Sequence, residues 1–172
     1  NRAKIWEVLR MARDSKFKTV ELNDRTATVG MIALQGPFAN EAMDKLAPGI
    51  PEALRPFQIK RAEILGQSVL VARTGYTGED GFEIMPQSTI CVDVWYNLIE
   101  GGAAPCGLGS RDILRLEAGL LLHGSDMDET INPFEAGLDR FVFTEKESLS
   151  SDAFLTTLQQ GINKKLVGFL MI

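Results

Sequence analysis

Two strand-forming runs, Phe57 to Leu65 and Ser68 to Arg73, stand on either side of the dipeptide Gly66-Gln67. A linker that short joins strands only by folding one back on the other, so the pair predicts a tight β-hairpin. The sheet containing it therefore has an antiparallel component. A chain of this kind has to find further strands and helices to cover the hairpin, because two strands alone bury too little apolar surface.

The remaining pattern supplies them. Ile5, Leu9 and Ala12, with Trp6 beside them, predict an amphipathic helix over residues 2–13. Phe17 to Leu22 reads as a short strand, and Thr26 to Leu34 as a buried one. Gly36-Pro37 breaks that strand, and Phe38 to Leu46 follows as a helix. After the hairpin, Tyr76 to Gly81 reads as a loop and Phe82 to Met85 as a strand. Ser88 is placed to cap a helix whose apolar face is Cys91, Val94, Trp95 and Leu98. Ser110 is a candidate N-cap for a helix from Arg111 to Leu121, with Gly119 bending or ending it. Asp126 to Pro133 reads as a polar loop, and residues 145–153 as a mobile connection. Strands interrupted by helices around a hairpin give an α+β class, a mixed or antiparallel sheet with packed helices.

With 172 residues, 45% of them hydrophobic, the chain can build one compact domain, or one and a half small ones. Its net charge of -5 and the lack of any Lys/Arg-rich block argue against nucleic acid as a partner. Cys91 and Cys106 form no CxxC pair and His123 is the sole histidine, so no zinc set is visible. No run of about 18 apolar residues suggests a membrane span. Neither terminus reads as natural: Asn1 directly precedes a helical pattern and Ile172 lies inside the apolar run from Leu166, so a fragment is expected.

Two stretches carry candidate chemistry. In Arg73 to Ile84, three glycines let the backbone turn sharply and come close to another group beside Glu83, an acidic residue between Phe82 and Ile84. Pattern alone leaves two readings of Glu83. It is a solvated strand position, or its two oxygens accept parallel N–H bonds from a flat heterocycle such as an aminopyrimidine edge. In Cys106 to Leu138, Arg111 and Arg115 lie one helical turn apart and share a face. Arg111 could clamp a carboxylate or stack on a ring, or it could form a surface ion pair with Asp112 or Glu117. A phosphate loop is excluded by the missing Gly-Lys-Ser/Thr ending and by Glu79 and Asp80. Asp126, Asp128 and Glu129 lack the spacing of a calcium loop.

Taken together, these segments resemble the aminomethyltransferase (T-protein) family of the glycine cleavage system. The residues carrying the resemblance are Thr74-Gly75-Tyr76-Thr77-Gly78-Glu79-Asp80-Gly81-Phe82-Glu83-Ile84 and Cys106-Gly107-Leu108-Gly109-Ser110-Arg111-Asp112 with Leu114 to Gly119. His123-Gly124 and Asp126 to Pro133 continue it, Ala33-Leu34-Gln35-Gly36-Pro37 precedes it, and the likeness runs from about Thr26 to Val142. The resemblance implies the folate-binding middle domain of a three-domain fold. It also implies transfer of a methylene carbon from the aminomethyl-lipoyl arm of H-protein to tetrahydrofolate, with release of ammonia. Glu83 would hold the pterin amino edge, Arg111 would contact the folate, and Tyr76 would line the pocket. The implied division is a folate-binding domain over 1–144, a connection over 145–165 and the start of a C-terminal barrel domain over 166–172. The implied location is the cytoplasm, or the mitochondrial matrix in a eukaryote.

The departures are specific. The family's catalytic aspartate would lie upstream of Asn1, so no residue here inherits that role and the fragment alone is expected to be inactive. Ser148 to Ala153 replaces a Phe-Ile-Gly-like stretch. Two alternatives stay open. One is the folate-binding module of a dimethylglycine or sarcosine dehydrogenase, or a dimethylsulfoniopropionate demethylase. The other is a non-enzymatic folate-binding relative in iron–sulfur assembly, whose Lys-Gly-Cys-x-x-Gly-Gln-Glu motif is not reproduced around Cys106.

Overall fold

The hairpin forms as expected, one residue earlier. In the computed structural model, which describes residues 1–169, strands β2 (Ile59–Ile64) and β3 (Gln67–Ala72) pair antiparallel with Ile64 opposite Gln67. The two-residue turn is Leu65-Gly66 rather than Gly66-Gln67, with φ of 51° and 71°. Positive φ at both central positions is what matches the turn's twist to that of the strands, and Gly66 takes it without a Cβ penalty.

The sheet is completed by β1 (Ile32–Gln35) and β4 (Gly81–Met85), in the order β1-β4-β3-β2 with every pairing antiparallel. Alternation along the strands sends Ile32, Leu34, Ala62, Ile64, Val69, Val71, Phe82 and Ile84 to one face. Helices α2 (Ala39–Leu46) and α4 (Cys91–Glu100) supply Ala39, Met43, Val94 and Leu98 to the same core, and the one-turn α3 (Ile50–Ala53) adds Ile50. The class is α+β.

Several sequence expectations are corrected. Residues 17–22 form a turn, with Val20 N–H donating to Phe17 O, and pair with no strand among the described residues. The strand expected from Thr26 begins only at Ile32, joined by a single bridge at Val29 and Gln87. Its first residues are instead caught by Asp24, whose Oδ1 accepts from Thr26 N–H (3.0 Å) and Thr26 Oγ1 (2.7 Å). A local side-chain turn wins over the strand there. Ser88 does not cap α4. Ile90 holds that position and Ser88 N–H donates to Thr28 O, while Trp95 stays 39% exposed. Helix α1 (Arg2–Ser15) forms, but Ile5 and Leu9 of its apolar face are exposed.

The chain divides into two compact units, Asn1–Gly75 with Asp80–Pro105, and Tyr76–Glu79 with Cys106–Ile172. The sheet, α1 to α4 and the apolar core belong to the first. The second holds α5 (Leu108–Glu117), a 3-10 turn at Asp139–Phe141 and α6 (Ser151–Gln160). Gly107, extended, is the N-cap of α5, so Ser110 falls inside its first turn, and the helix stops before Gly119. Helix α6 occupies part of the expected connection. Its serines serve the helix start, with Ser148 N–H donating to Ser151 Oγ at 2.8 Å. Leu166 N–H donates to Glu135 O, and the last three residues of the apolar run lie outside the described residues.

Candidate functional site

Glu83 lies on β4, an inner strand, on the face opposite the apolar core. Its cross-strand neighbours are Ala33 on β1 and Ala72 on β3, so a methyl group is all that flanks it on either side. The carboxylate is half-buried, and its Oε2 accepts a hydrogen bond from Thr74 Oγ1 at 2.5 Å. The carboxylate is therefore neither fully solvated nor fully enclosed.

The loop before β4 is fastened at its base. Arg73 Nε and Nη2 donate to Oδ1 and Oδ2 of Asp80 at 3.0 and 2.5 Å, and Nη1 donates to the carbonyls of Pro51 (2.7 Å) and Leu54 (2.8 Å). Asn40 contributes to both partners, and the guanidinium lies 5.4 Å from the Phe82 ring. The Arg73 bond, with Asn40 helping, holds the Asp80 carboxyl down from its ordinary 3.8 to about 2. A bidentate pair closed over six residues fixes where the chain leaves and re-enters the first unit.

Gln35, at the end of β1, braces the same loop from inside. Its Nε2 donates to Thr74 O at 3.1 Å and to Phe82 O at 3.4 Å. Gly75 and Gly81 make room for it: a Cβ at Gly75 would lie 1.8 Å from Gln35 Oε1, and one at Gly81 2.6 Å from Gln35 Cδ. At Gly75 and Gly81 the close approach expected of these glycines is what the structure shows.

Tyr76 and Arg111 both belong to the second unit, and the structure brings them together. The Arg111 guanidinium sits over the Tyr76 ring at 4.9 Å from its centroid, and Tyr76 Oη donates to Leu121 O at 2.5 Å. Arg111 is exposed, whereas Arg115 is buried. The expected shared face therefore divides. Arg115 pairs through Nε with Asp112 (2.8 Å) and through Nη1 with Asp126, whose Oδ2 also accepts Leu122 N–H. Asp112 thus serves Arg115 rather than Arg111. Asp128 is taken by Thr130, whose hydroxyl and N–H hold its carboxyl below the ordinary carboxylate range. No group of three or more His, Cys, Asp or Glu able to hold a metal occurs among the described residues.

Sequence reasoning gave Gln35 and Thr74 no role beyond the motifs they stand in, read Arg73 as a strand end and used Asp80 only to exclude a phosphate loop. The period-2 pattern in Ile32 to Gln35 places Gln35 with Ala33 on the Glu83 face, but only the register across β1 and β4 makes them neighbours.

The family described as the GCVT N-terminal domain matches residues 1–146. An aminomethyltransferase of Thermosynechococcus vestitus is 41% identical over 155 residues, covering 90% of this chain and 42% of that protein. One from Thermoanaerobacter pseudethanolicus is 40% identical, covering all of this chain and 49% of its own length. The chain thus spans about two-fifths to a half of the curated relatives it matches. The crystal structure of glycine cleavage system aminomethyltransferase T from Bartonella henselae superposes with a TM-score of 0.52 at 22% identity, over 77% of this chain and 62% of that one. At that identity it shows a shared fold.

Proposed function

This chain belongs to the GCVT N-terminal domain family, and from that membership we propose that it is part of a tetrahydrofolate-dependent aminomethyltransferase of the glycine cleavage system. The donor is the aminomethyl group on the lipoyl arm of H-protein. Its C–S and C–N bonds break, and N5 and N10 of tetrahydrofolate each form a bond to the carbon. Of the two hydrogens those nitrogens lose, one completes the lipoyl thiol and the other the departing ammonia.

Glu83, Tyr76 and Arg111 are the folate-binding residues of this reading. The observation that carries it is the setting of Glu83: a carboxylate on a rigid inner strand, held by Thr74 and flanked by Ala33 and Ala72. Small flanks suit a flat ring laid beside it, and a planar carboxylate accepts two N–H bonds from an aminopyrimidine edge. Arg111, spread over Tyr76, has a fixed, charged plane to offer a ring or a carboxylate. No described residue is assigned the catalytic role. The folate-binding domain over 1–144, the connection over 145–165 and a barrel domain starting at 166 belong to the same reading, as does a cytoplasmic or matrix location. No helix of the described residues is long and apolar enough to cross a membrane.

Two experiments test it. Aminomethyl-loaded H-protein and tetrahydrofolate, incubated with the intact protein, yield 5,10-methylenetetrahydrofolate and ammonia; turnover of dimethylglycine or dimethylsulfoniopropionate instead overturns the assignment. Calorimetric titration of tetrahydrofolate reports the residues. Glu83→Gln and Arg111→Ala each weaken binding about thirty- to a hundredfold, roughly 2–3 kcal/mol, with the fold intact by circular dichroism. Unchanged affinity in both variants removes them from the site.

A further inference from the structure

A carboxylate that reads a flat heterocycle has to present both oxygens in one plane, yet the terminal torsion of a glutamate is broad. Something else has to set it. Around Glu83 one hydroxyl is placed to do so. Thr74 Oγ1 has a single proton and gives it to Glu83 Oε2. Thr74 is held in turn by Gln35, whose amide ties the Thr74 carbonyl before the loop to the Phe82 carbonyl after it. Gln35 reaches there through a slot that a Cβ at Gly75 or Gly81 would fill.

We propose that Thr74, braced by Gln35, is the positioning residue that orients the Glu83 carboxylate for a 2-aminopyrimidine edge, and so sets the preference of this site for pterins carrying that amino group. The inference rests on the reading of Glu83 as the pterin-binding carboxylate. The chemistry is directional. One lone pair of Oε2 is taken by the hydroxyl, which fixes the rotation of the group, and the remaining lone pairs of both oxygens stay available as acceptors. Thr74 touches no ligand itself in this scheme; it acts through Glu83. Valine at position 74 keeps the shape and β-branching of threonine but has no proton to give, so the carboxylate is free to turn. Serine retains the proton.

The test is calorimetric titration of the intact protein with two probes, tetrahydrofolate and its 2-desamino-2-methyl analogue, which lacks the amino group. Wild type binds tetrahydrofolate more tightly than the analogue. Thr74→Val weakens tetrahydrofolate binding roughly tenfold while leaving the analogue nearly unchanged, the size expected for losing one hydrogen bond to a charged group. Thr74→Ser restores the preference to within about twofold. Gln35→Met, which leaves Thr74 in place but unbraced, shifts the preference in the same direction; it carries the test should Thr74→Val fail to fold. Equal loss for both probes, or no loss in either variant, overturns the positioning role when Glu83→Gln still abolishes the preference. A preference that survives Glu83→Gln overturns instead the reading of Glu83 on which the inference stands.

Discussion

The two units of this chain each contain a buried or nearly buried arginine tied to aspartates, yet the surroundings differ. In the first, Arg73 and Asp80 fasten a loop onto a sheet that already has an apolar core, with Met43, Val71, Phe82, Ile84 and Val94 fully buried. In the second, the buried residues are Arg115, Phe134 and Ala136, and no sheet is present among the described residues. Arg115 there gathers Asp112, Asp126 and the Leu120 carbonyl, so the segment after α5 is folded by hydrogen bonds to one side chain. Asn132 and Glu135 add a reciprocal pair, each side chain accepting from the other's backbone N–H at 3.0 and 2.9 Å. Phe134 meets Phe154 of α6 edge to face at 5.8 Å. A polar cluster thus takes the place of a core, and it has little apolar burial behind it. Such a region opens locally at lower cost than a sheet does.

The largest way to break the comparison is to remove the core of the first unit. Phe82→Ala leaves a cavity at a site with no solvent exposure, and about 3–5 kcal/mol of stability is lost, read as a shift of the urea midpoint without change of slope. Smaller in extent but sharper in place is Arg115→Met. It removes the guanidinium from Asp126, which keeps only Leu122 N–H, and from the Leu120 carbonyl, and amide exchange at 120–127 speeds up roughly tenfold or more while β3 and β4 keep their protection. If those sheet amides accelerate equally, the two regions are one cooperative body and the contrast fails.

The same contrast explains what the sequence made legible. Period-2 and period-3.6 patterns report apolar burial, so the hairpin, α2, α4 and the α+β class could be read from residues such as Val69, Val71, Val94 and Leu98. Arg115 could not. A buried arginine has the sequence appearance of an exposed one, and its partner Asp126 lies eleven positions on, outside any helical spacing. Helix α6 was hidden for a related reason: its serine-rich start reads as a linker until Ser148 and Ser151 are seen bonded to one another. Among the candidate residues, Glu83 and Arg111 stood out by their chemistry, whereas Tyr76 entered only through the family resemblance. Gln35 and Thr74 were not legible, because their roles exist only in the cross-strand register and in the space left by Gly75 and Gly81.

Acid probes the Arg73 cluster directly. The Asp80 carboxyl is held at about 2 by its bond to Arg73, below the ordinary 3.8. A group with a lowered folded pKa contributes its stability fully above the unfolded value, and that contribution is lost as pH falls through the folded one. Asp80→Asn therefore melts a few degrees below wild type at pH 6, and the difference closes to about 1 °C near pH 2. The effect is modest because the Asp80 side chain is 40% exposed and water screens the pair. Asp24, lowered to about 2 mainly by the Thr26 hydroxyl, titrates in the same window but is common to both proteins and cancels in the difference. A gap that stays constant from pH 6 to 2 would show that Asp80 acts through shape rather than charge.

The smallest effect tests the second unit at its aromatic contact. Tyr76→Phe keeps the ring under Arg111 and removes only the hydroxyl that donates to the Leu121 carbonyl. A single neutral hydrogen bond contributes about 1 kcal/mol net, and here that carbonyl is left half-buried without it. Because the described residues of the second unit form no extended apolar core to hold the loop, the loss is read locally, as faster exchange at 121–127 with the sheet amides unchanged. Tetrahydrofolate affinity separates the roles of ring and hydroxyl. Tyr76→Phe keeps affinity within about threefold, whereas Tyr76→Ala, which leaves Arg111 without its platform, weakens it by a further factor of about three to five, the range of one exposed cation–π contact. Equal affinity in the two variants would mean that the ring under Arg111 contributes nothing to holding the guanidinium for its ligand.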